Sequence, residues 1–232
     1  MKDFFSLAIA FEEVYFENMK TKEAVLLYEK ERYRKPDQRL VDKAEKRIVR
    51  KILDRIGYQW HSLLDIPCGY GRFTPLFLER GLHLACSDLS GAMVTRCREK
   101  VVIEAGCTEG KFIVSDIQHL PFEDNAFDCV FTFRLFQHIP TRQKRQSILS
   151  EISRVTQRWA IISFYRKNIF HILERKLIRR KTAIKMITKE EFSEEAAACN
   201  LNLKGLYCVS PLFHAQVIAL LEKSPHPSSQ SS

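Results

Sequence analysis

Apolar positions change their rhythm once along this chain. Up to residue 57 they recur every three or four residues; from residue 61 short apolar runs alternate with helical stretches. Phe4, Leu7, Ala8, Phe11, Val14 and Tyr15 share one helical face, and Glu12 and Glu13 follow at once, which predicts an amphipathic helix rather than an export signal. Two more helices are predicted from "EAVLLYEKERY" (23–33) and "RLVDKAEKRIVRKILDRIG" (39–57), divided by Pro36, with Gly57 closing the second.

The later rhythm predicts strands at "SLLDI", "LHLACS", "KFIVS", "FDCVFTF" and "WAIISFY", with helices near 72–80, 90–105 and 141–155 between them. Ser90 suits the N-cap of the second of these helices. Thr188 and Glu191 form a capping box that opens a further helix to about Cys199. "LKGLYCVS" and "FHAQVIALLE" then predict two closing antiparallel strands, and "SPHPSSQSS" a disordered tail. Strand–helix alternation implies an α/β sandwich, a largely parallel sheet with helices on both faces. The expected division is a helical N-terminal lid over 1–57, a core over 58–223 and a tail over 224–232.

Composition adds two constraints. The seven cysteines show neither a C-x-x-C pair nor a Cys/His metal spacing, so no metal is expected, and a reduced, cytoplasmic setting is. The net charge of +9 is concentrated: residues 166–187 hold eight basic residues against one acidic, while 58–165 is nearly balanced. That basic stretch interleaves Ile169, Phe170, Ile172, Leu173, Leu177 and Ile178, a pattern suited to the periphery of an anionic membrane or to an anionic substrate. It has little aromatic interleaving for base stacking, which disfavours nucleic acid.

The chemistry gathers at strand ends. "LLDIPCGYGRF" runs from a strand through Gly69 and Gly71 into a helix. No Lys-Ser/Thr pair follows the second glycine, so this is not a P-loop. Thr74 stands where a dinucleotide fingerprint has its third glycine, which weakens an NAD reading. Asp65 ends the first strand, where a carboxylate would repel a pyrophosphate and suit a cationic amino group. Asp88 ends the second, where it can accept two ribose hydroxyls, and Asp116 follows the third, where it can accept an adenine amino group.

"LLDIPCGYGRFTPLFLERG", "CSDLSGAMVTRCREK", "SDIQHLPFEDNAFDCVFTFRLFQHI" and the closing strands, in that order over about 60–220, resemble class I S-adenosylmethionine-dependent methyltransferases. The resemblance implies a Rossmann-like three-layer α/β/α sandwich, whose seven-stranded, mostly parallel sheet has an antiparallel last strand. It implies S-adenosylmethionine as cofactor and S-adenosylhomocysteine as product. By it, the backbone at Cys68, Gly69 and Gly71 passes near the cofactor with Asp65. Asp88 holds the ribose, Leu89 packs on adenine, Asp116 and Ile117 take the adenine edge, and Phe133 belongs to the same site. Two departures stand out: Pro67 replaces the family's first glycine, and "RVTQRWAIISFY" lacks the usual Pro-Gly-Gly turn, so that connection is tighter or differently shaped.

The acceptor side is read from "FRLFQHIPTRQ", the loop after the fourth strand. It has neither an Asn/Asp-Pro-Pro-Tyr motif nor a Pro-Cys nucleophile, which disfavours methylation of a base. His138 is the candidate general base, Arg134 a candidate for an anionic group, and Tyr28 and Tyr33 candidates for the acceptor pocket in the lid. The expected activity is methyl transfer to a small molecule, lipid-like, quinone-like or anionic, with oxygen favoured. The alternatives are an NAD-dependent oxidoreductase and a non-catalytic cofactor-binding module recruited to membrane or RNA.

Overall fold

The structure is a computed structural model that describes residues 19–57, 59–104, 106, 110–167, 185–210 and 214–225. The helix expected at 4–15, residues 168–184 of the basic stretch and most of the tail lie outside the described residues.

Two helices come first, α1 (Lys22–Arg32) and α2 (Pro36–Ile56). Thr21 caps α1 by accepting from the Ala24 N–H, and Gly57 closes α2 at φ +82°, a conformation open to glycine. Then β1 (Ser62–Asp65), α3 (Thr74–Leu78), β2 (His83–Asp88) and α4 (Gly91–Arg98) alternate, and α4 continues into a π-helical stretch over Glu99–Glu104. They are followed by β3 (Gly110–Val114), β4 (Phe127–Thr132), α5 (Arg142–Val155) and β5 (Thr156–Tyr165). The chain closes with α6 (Lys189–Ala197), β6 (Leu201–Ser210) and β7 (His214–Lys223).

Among the described residues the sheet has seven strands in the order β3-β2-β1-β4-β5-β7-β6. β1 to β5 run parallel to one another; β7 runs against both β5 and β6. Neighbouring strand positions face opposite sides, and both sides are apolar. Leu64, Val130, Ile162 and Leu221 join Ile148, Ile152 and Phe192 beneath α5 and α6. Leu63, Phe131, Ile161 and Leu220 face the other way, onto Phe77 and onto Val49, Ile52 and Leu53 of α2. The second half of α2 is therefore part of the sandwich layer, whereas α1 lies over the crevice.

Two expectations meet the structure closely. The Thr188–Glu191 capping box is complete, each side chain bonding the other's backbone N–H. The connection without Pro-Gly-Gly is abrupt: α5 ends at Val155, and Thr156, whose N–H reaches the Ile152 carbonyl, is already the first residue of β5. The helix expected over 72–80 is shorter, with one turn at 74–78, because the chain spends Cys68 to Phe73 on the glycine turn.

Candidate active site

The strand order reverses at β1: β2 lies on one side and β4 on the other. Loops leaving two such strands part in opposite directions, and a crevice opens at their C-terminal ends. A cavity of about 360 Å³ lies there.

Its first wall is the turn after β1. Pro67 follows a cis peptide bond, and Gly69 and Gly71 take φ of +53° and +78°. The turn is tied to β2 twice: the Cys68 N–H donates to the Ser87 carbonyl (2.8 Å) and the Gly69 N–H to Asp88 Oδ2 (2.9 Å). Cys68 and Gly69 line the cavity; Gly71 does not. A Cβ on Gly71 would meet Thr74 Oγ1 at 2.9 Å and Cys97 Sγ at 3.0 Å, so this glycine serves packing of the turn against α4. A Cβ on Gly69 would meet nothing within 4 Å. Gly69→Ala is therefore expected to cost only the left-handed backbone, about 1–2 kcal/mol. Gly71→Ala adds a clash with buried groups and is expected to cost roughly twice that, read by urea unfolding.

The three acids meet at one cavity. β3, β2 and β1 are consecutive in the sheet, and Asp116, Asp88 and Asp65 all line the cavity. Asp65 is 2% exposed; burial, with Cys97 and Asp88 nearby, pushes its carboxyl well above the usual range. Burial also pushes Asp88 up, to about 6, against bonds from the Ser90 and Gly69 N–H groups that pull it down. Asp88 therefore has a structural task beside any ligand: it clasps the glycine turn to the start of α4. Asp116 accepts from the Gln118 N–H at 2.9 Å. Leu89 lines the cavity and is 53% exposed, a large apolar side chain left open. Ile117 lines it partly buried, and Phe133 lines it with a ring that also stacks on Phe131 at 5.5 Å.

The remaining wall comes from α1 and the loop after β4. Tyr28, Tyr33, Arg134 and His138 line it, together with Arg32, Arg72 and Gln137, for which the sequence reading had no role. α1 is strapped to α4 and its continuation by Glu29, whose carboxylate meets Arg96 at 2.7 Å and Lys100 at 2.6 Å. Glu45 of α2, fully buried, joins the glycine turn to the loop after β4: one oxygen meets Arg72 and the other Arg134, each at 2.6 Å. Burial pushes Glu45 up, to about 7, against the pull of Arg134. Arg72 also donates to the Tyr33 hydroxyl and lies over the Phe73 ring at 4.2 Å. Helical periodicity places Glu45 on the buried face of α2, but its partners lie 27 and 89 residues away and no local pattern announces them.

His138 sits in a 3₁₀ turn over Phe136–His138, with the Gln137 amide nitrogen 3.3 Å from its Nε2. Burial first, then Arg32 and Arg134, lowers its pKa to about 4, so the ring is neutral at physiological pH. The ends of the basic stretch return to this region: Arg166 and Ile187 form a parallel bridge, and the Lys185 N–H donates to the Gln137 carbonyl.

A strand-end row of acids, a glycine turn at the topological switch point and a reversed β7 in the order 3-2-1-4-5-7-6 form one constellation, and a family model described as a methyltransferase domain matches residues 64–164. Over residues 64–164 the chain is similar to this methyltransferase family, and its fold is that of class I methyltransferases. This methyltransferase fold is similar to magnesium protoporphyrin IX methyltransferase from Synechocystis PCC 6803, a structure with bound SAH, at TM-score 0.71 and 17% identity over 82% of this chain and 88% of that one. Among curated proteins, the malonyl-[acyl-carrier protein] O-methyltransferase of Hamiltonella defensa subsp. Acyrthosiphon pisum is 28% identical over 44% of this chain and 36% of its own length. The probable tRNA methyltransferase 9B of Homo sapiens is 30% identical over 40% of this chain and 18% of its own. The methyltransferase match thus spans well under half of these relatives. No described helix is long and apolar enough to cross a membrane.

Proposed function

We propose that this chain transfers the methyl group of S-adenosylmethionine to a small-molecule acceptor, with oxygen as the favoured acceptor atom. The observation that carries the reading is the row of Asp65, Asp88 and Asp116 along one cavity. A pyrophosphate would have to lie against the buried Asp65, whereas an ammonium, a ribose and an adenine each meet a carboxylate. Asp65 would take the amino group, Asp88 the ribose hydroxyls and Asp116 the adenine amino group, with Leu89 and Ile117 against the ring faces.

When bound, the cofactor supplies an electrophilic methyl group on a sulfonium that needs no activation as a leaving group. The protein's share is then positioning, exclusion of water and management of one proton. α1 covers the crevice with Tyr28 and Tyr33, and Leu135, Ile139 and Ile148 make the acceptor side apolar. That lining suits an amphipathic molecule inserted into the cavity better than a polynucleotide laid across a surface. His138, neutral and beside the loop after β4, is the group placed to take a hydroxyl proton. The name of the O-methyltransferase relative supports oxygen as the acceptor atom.

Calorimetry with S-adenosylhomocysteine and with NAD tests the cofactor. Binding of the first and not the second is expected; the reverse result sinks the methyltransferase reading. Asp88→Ala is expected to abolish that binding, since it loses both a ligand group and the clasp on Gly69. For the acceptor, extracts of small molecules and of RNA are incubated with the labelled methyl donor. Label is expected in the small-molecule fraction, and label in RNA alone overturns the acceptor class. With an acceptor in hand, His138→Ala is expected to lower kcat about 100-fold and leave KM within a few-fold. Unchanged kcat removes the base.

A further inference from the structure

Three arginines converge on the His138 end of the cavity, and the acids near them do not balance them. Arg134 meets Glu45 at 2.6 Å, and Arg72 meets Glu45 at 2.6 Å and Asp42 at 3.4 Å. Arg32, at the C-terminal end of α1, also lines the cavity. It lies 5.9 Å from the Tyr28 ring centre and 5.8 Å from that of Tyr33, and no carboxylate pairs with it among the described residues. Asp42 is shared with Lys46 at 2.9 Å, so these cations outnumber the two carboxylates and the cluster is net positive. Two neighbouring groups feel it: burial first, and then Arg134 and Arg32, depress Arg72, and burial with the same pair depresses His138.

Arg134 carries a second, independent sign. Its backbone takes φ of +59°, rare for a residue with a side chain. That conformation is fixed from both sides: its N–H donates to Ser163 Oγ at 2.7 Å, and its carbonyl accepts from the Gln137 amide at 2.7 Å. The guanidinium it presents to the cavity has a buried Nε with no hydrogen-bond partner, and the Gln137 Oε1 beside it is buried and unsatisfied as well. Native proteins leave few such groups open, and those at a cavity wall are the ones a ligand completes. The same end of the cavity is lined by Leu135, Ile139 and Ile148.

We propose that the methyl acceptor is an amphipathic monocarboxylate, whose carboxylate is held by Arg32 and Arg134 and whose apolar body lies on Leu135, Ile139 and Ile148. This deepens the methyltransferase reading and rests on it. A negative charge suits this net positive cluster. The carboxylate offers two oxygens to the open Nε and to a guanidinium without a competing acid. Bound there, it also offsets the two arginines that add to the effect of burial on His138, so the ring is more basic with an acceptor in place.

The test is calorimetry on the full chain saturated with S-adenosylhomocysteine, with 4-phenylbutyrate and its uncharged twin 4-phenylbutyramide as probes. The acid is expected to bind at least about tenfold more tightly than the amide, the gain of a charge-assisted pair. In Arg32→Gln that preference is expected to collapse to about twofold or less, while amide affinity, S-adenosylhomocysteine affinity and Tm stay as in the parent protein, since Arg32 holds no ion pair among the described residues. Arg32→Lys is expected to keep part of it. Equal affinity for acid and amide, no detectable binding of either, or a preference that survives Arg32→Gln overturns the anion site. Failure to bind S-adenosylhomocysteine at all is a different result: it strikes the methyltransferase reading, and the anion site falls with it.

Discussion

Glu45→Ala is expected to be the most destabilising single substitution on the cavity side of this protein, costing about 3–5 kcal/mol. Glu45 is fully buried and its two oxygens meet different arginines, Arg72 from the glycine turn and Arg134 from the loop after β4. Alanine removes both acceptors, leaving Arg72 with only Asp42 and the Tyr33 hydroxyl and Arg134 with no carboxylate partner among the described residues, in a water-poor site where desolvation is costly. Through Arg72 the damage reaches the turn that carries Cys68 and Gly69; through Arg134 it reaches the strained residue of the acceptor loop. For a chain of this length a Tm lower by about 10 °C is expected, at 2–4 °C per kcal/mol. S-adenosylhomocysteine affinity should fall with it. A thermal scan that finds Tm within 2 °C of the parent protein, a small shift on that scale, would show that the arginines find other partners and that the network is not what joins α2 to the site.

Asp65→Asn is expected to act in opposite directions on stability and on binding. The Asp65 carboxyl is pushed well above its usual range by burial, with Cys97 and Asp88 adding to the effect. A carboxyl whose pKa is higher in the folded than in the unfolded chain contributes stability at acid pH and loses it as pH rises through the folded value. As pH rises above the ordinary carboxylate range the ligand-free protein therefore carries a growing cost at Asp65, and asparagine, of nearly the same shape, does not. Tm of the ligand-free variant should exceed that of the parent at pH 8, with the difference shrinking toward about pH 4, the ordinary range for a carboxyl. Binding moves the other way. An ammonium placed against Asp65 loses its counter-charge in the variant, and S-adenosylhomocysteine affinity is expected to fall about 100-fold. In the parent protein that affinity should rise with pH as Asp88, at about 6, and Asp65 ionise. In Asp65→Asn the part of this rise owed to Asp65 disappears. Undiminished affinity in the variant would mean that no cationic group sits at Asp65.

Much of this molecule is written in local pattern. Strand runs of four to ten residues, Ser90 and Thr188 as caps, Gly57 as a stop, and the sheet's switch from helical to alternating rhythm all depend on neighbours in sequence. The three acids are legible for the same reason. Each ends a strand, parallel strands end on one side of the sheet, and β3, β2 and β1 pair in order, so their C-terminal residues must share a crevice. Gly71 was legible as a turn residue, but its pressing against Cys97 was not, since that contact depends on how α4 docks.

The sequence by itself determined the layers, the strand ends and the row of carboxylates, because alternation, capping and parallel pairing act over a few residues and permit few arrangements. Only the tertiary structure decided what closes the cavity. Arg32 and Arg134 are 102 residues apart, and Glu45 reaches Arg134 across 89; buried charges choose partners by distance in space, with no trace in spacing. His138 illustrates both halves: its place after β4 is a matter of sequence, whereas its lowered pKa is set by burial and by two arginines that the fold brings to it.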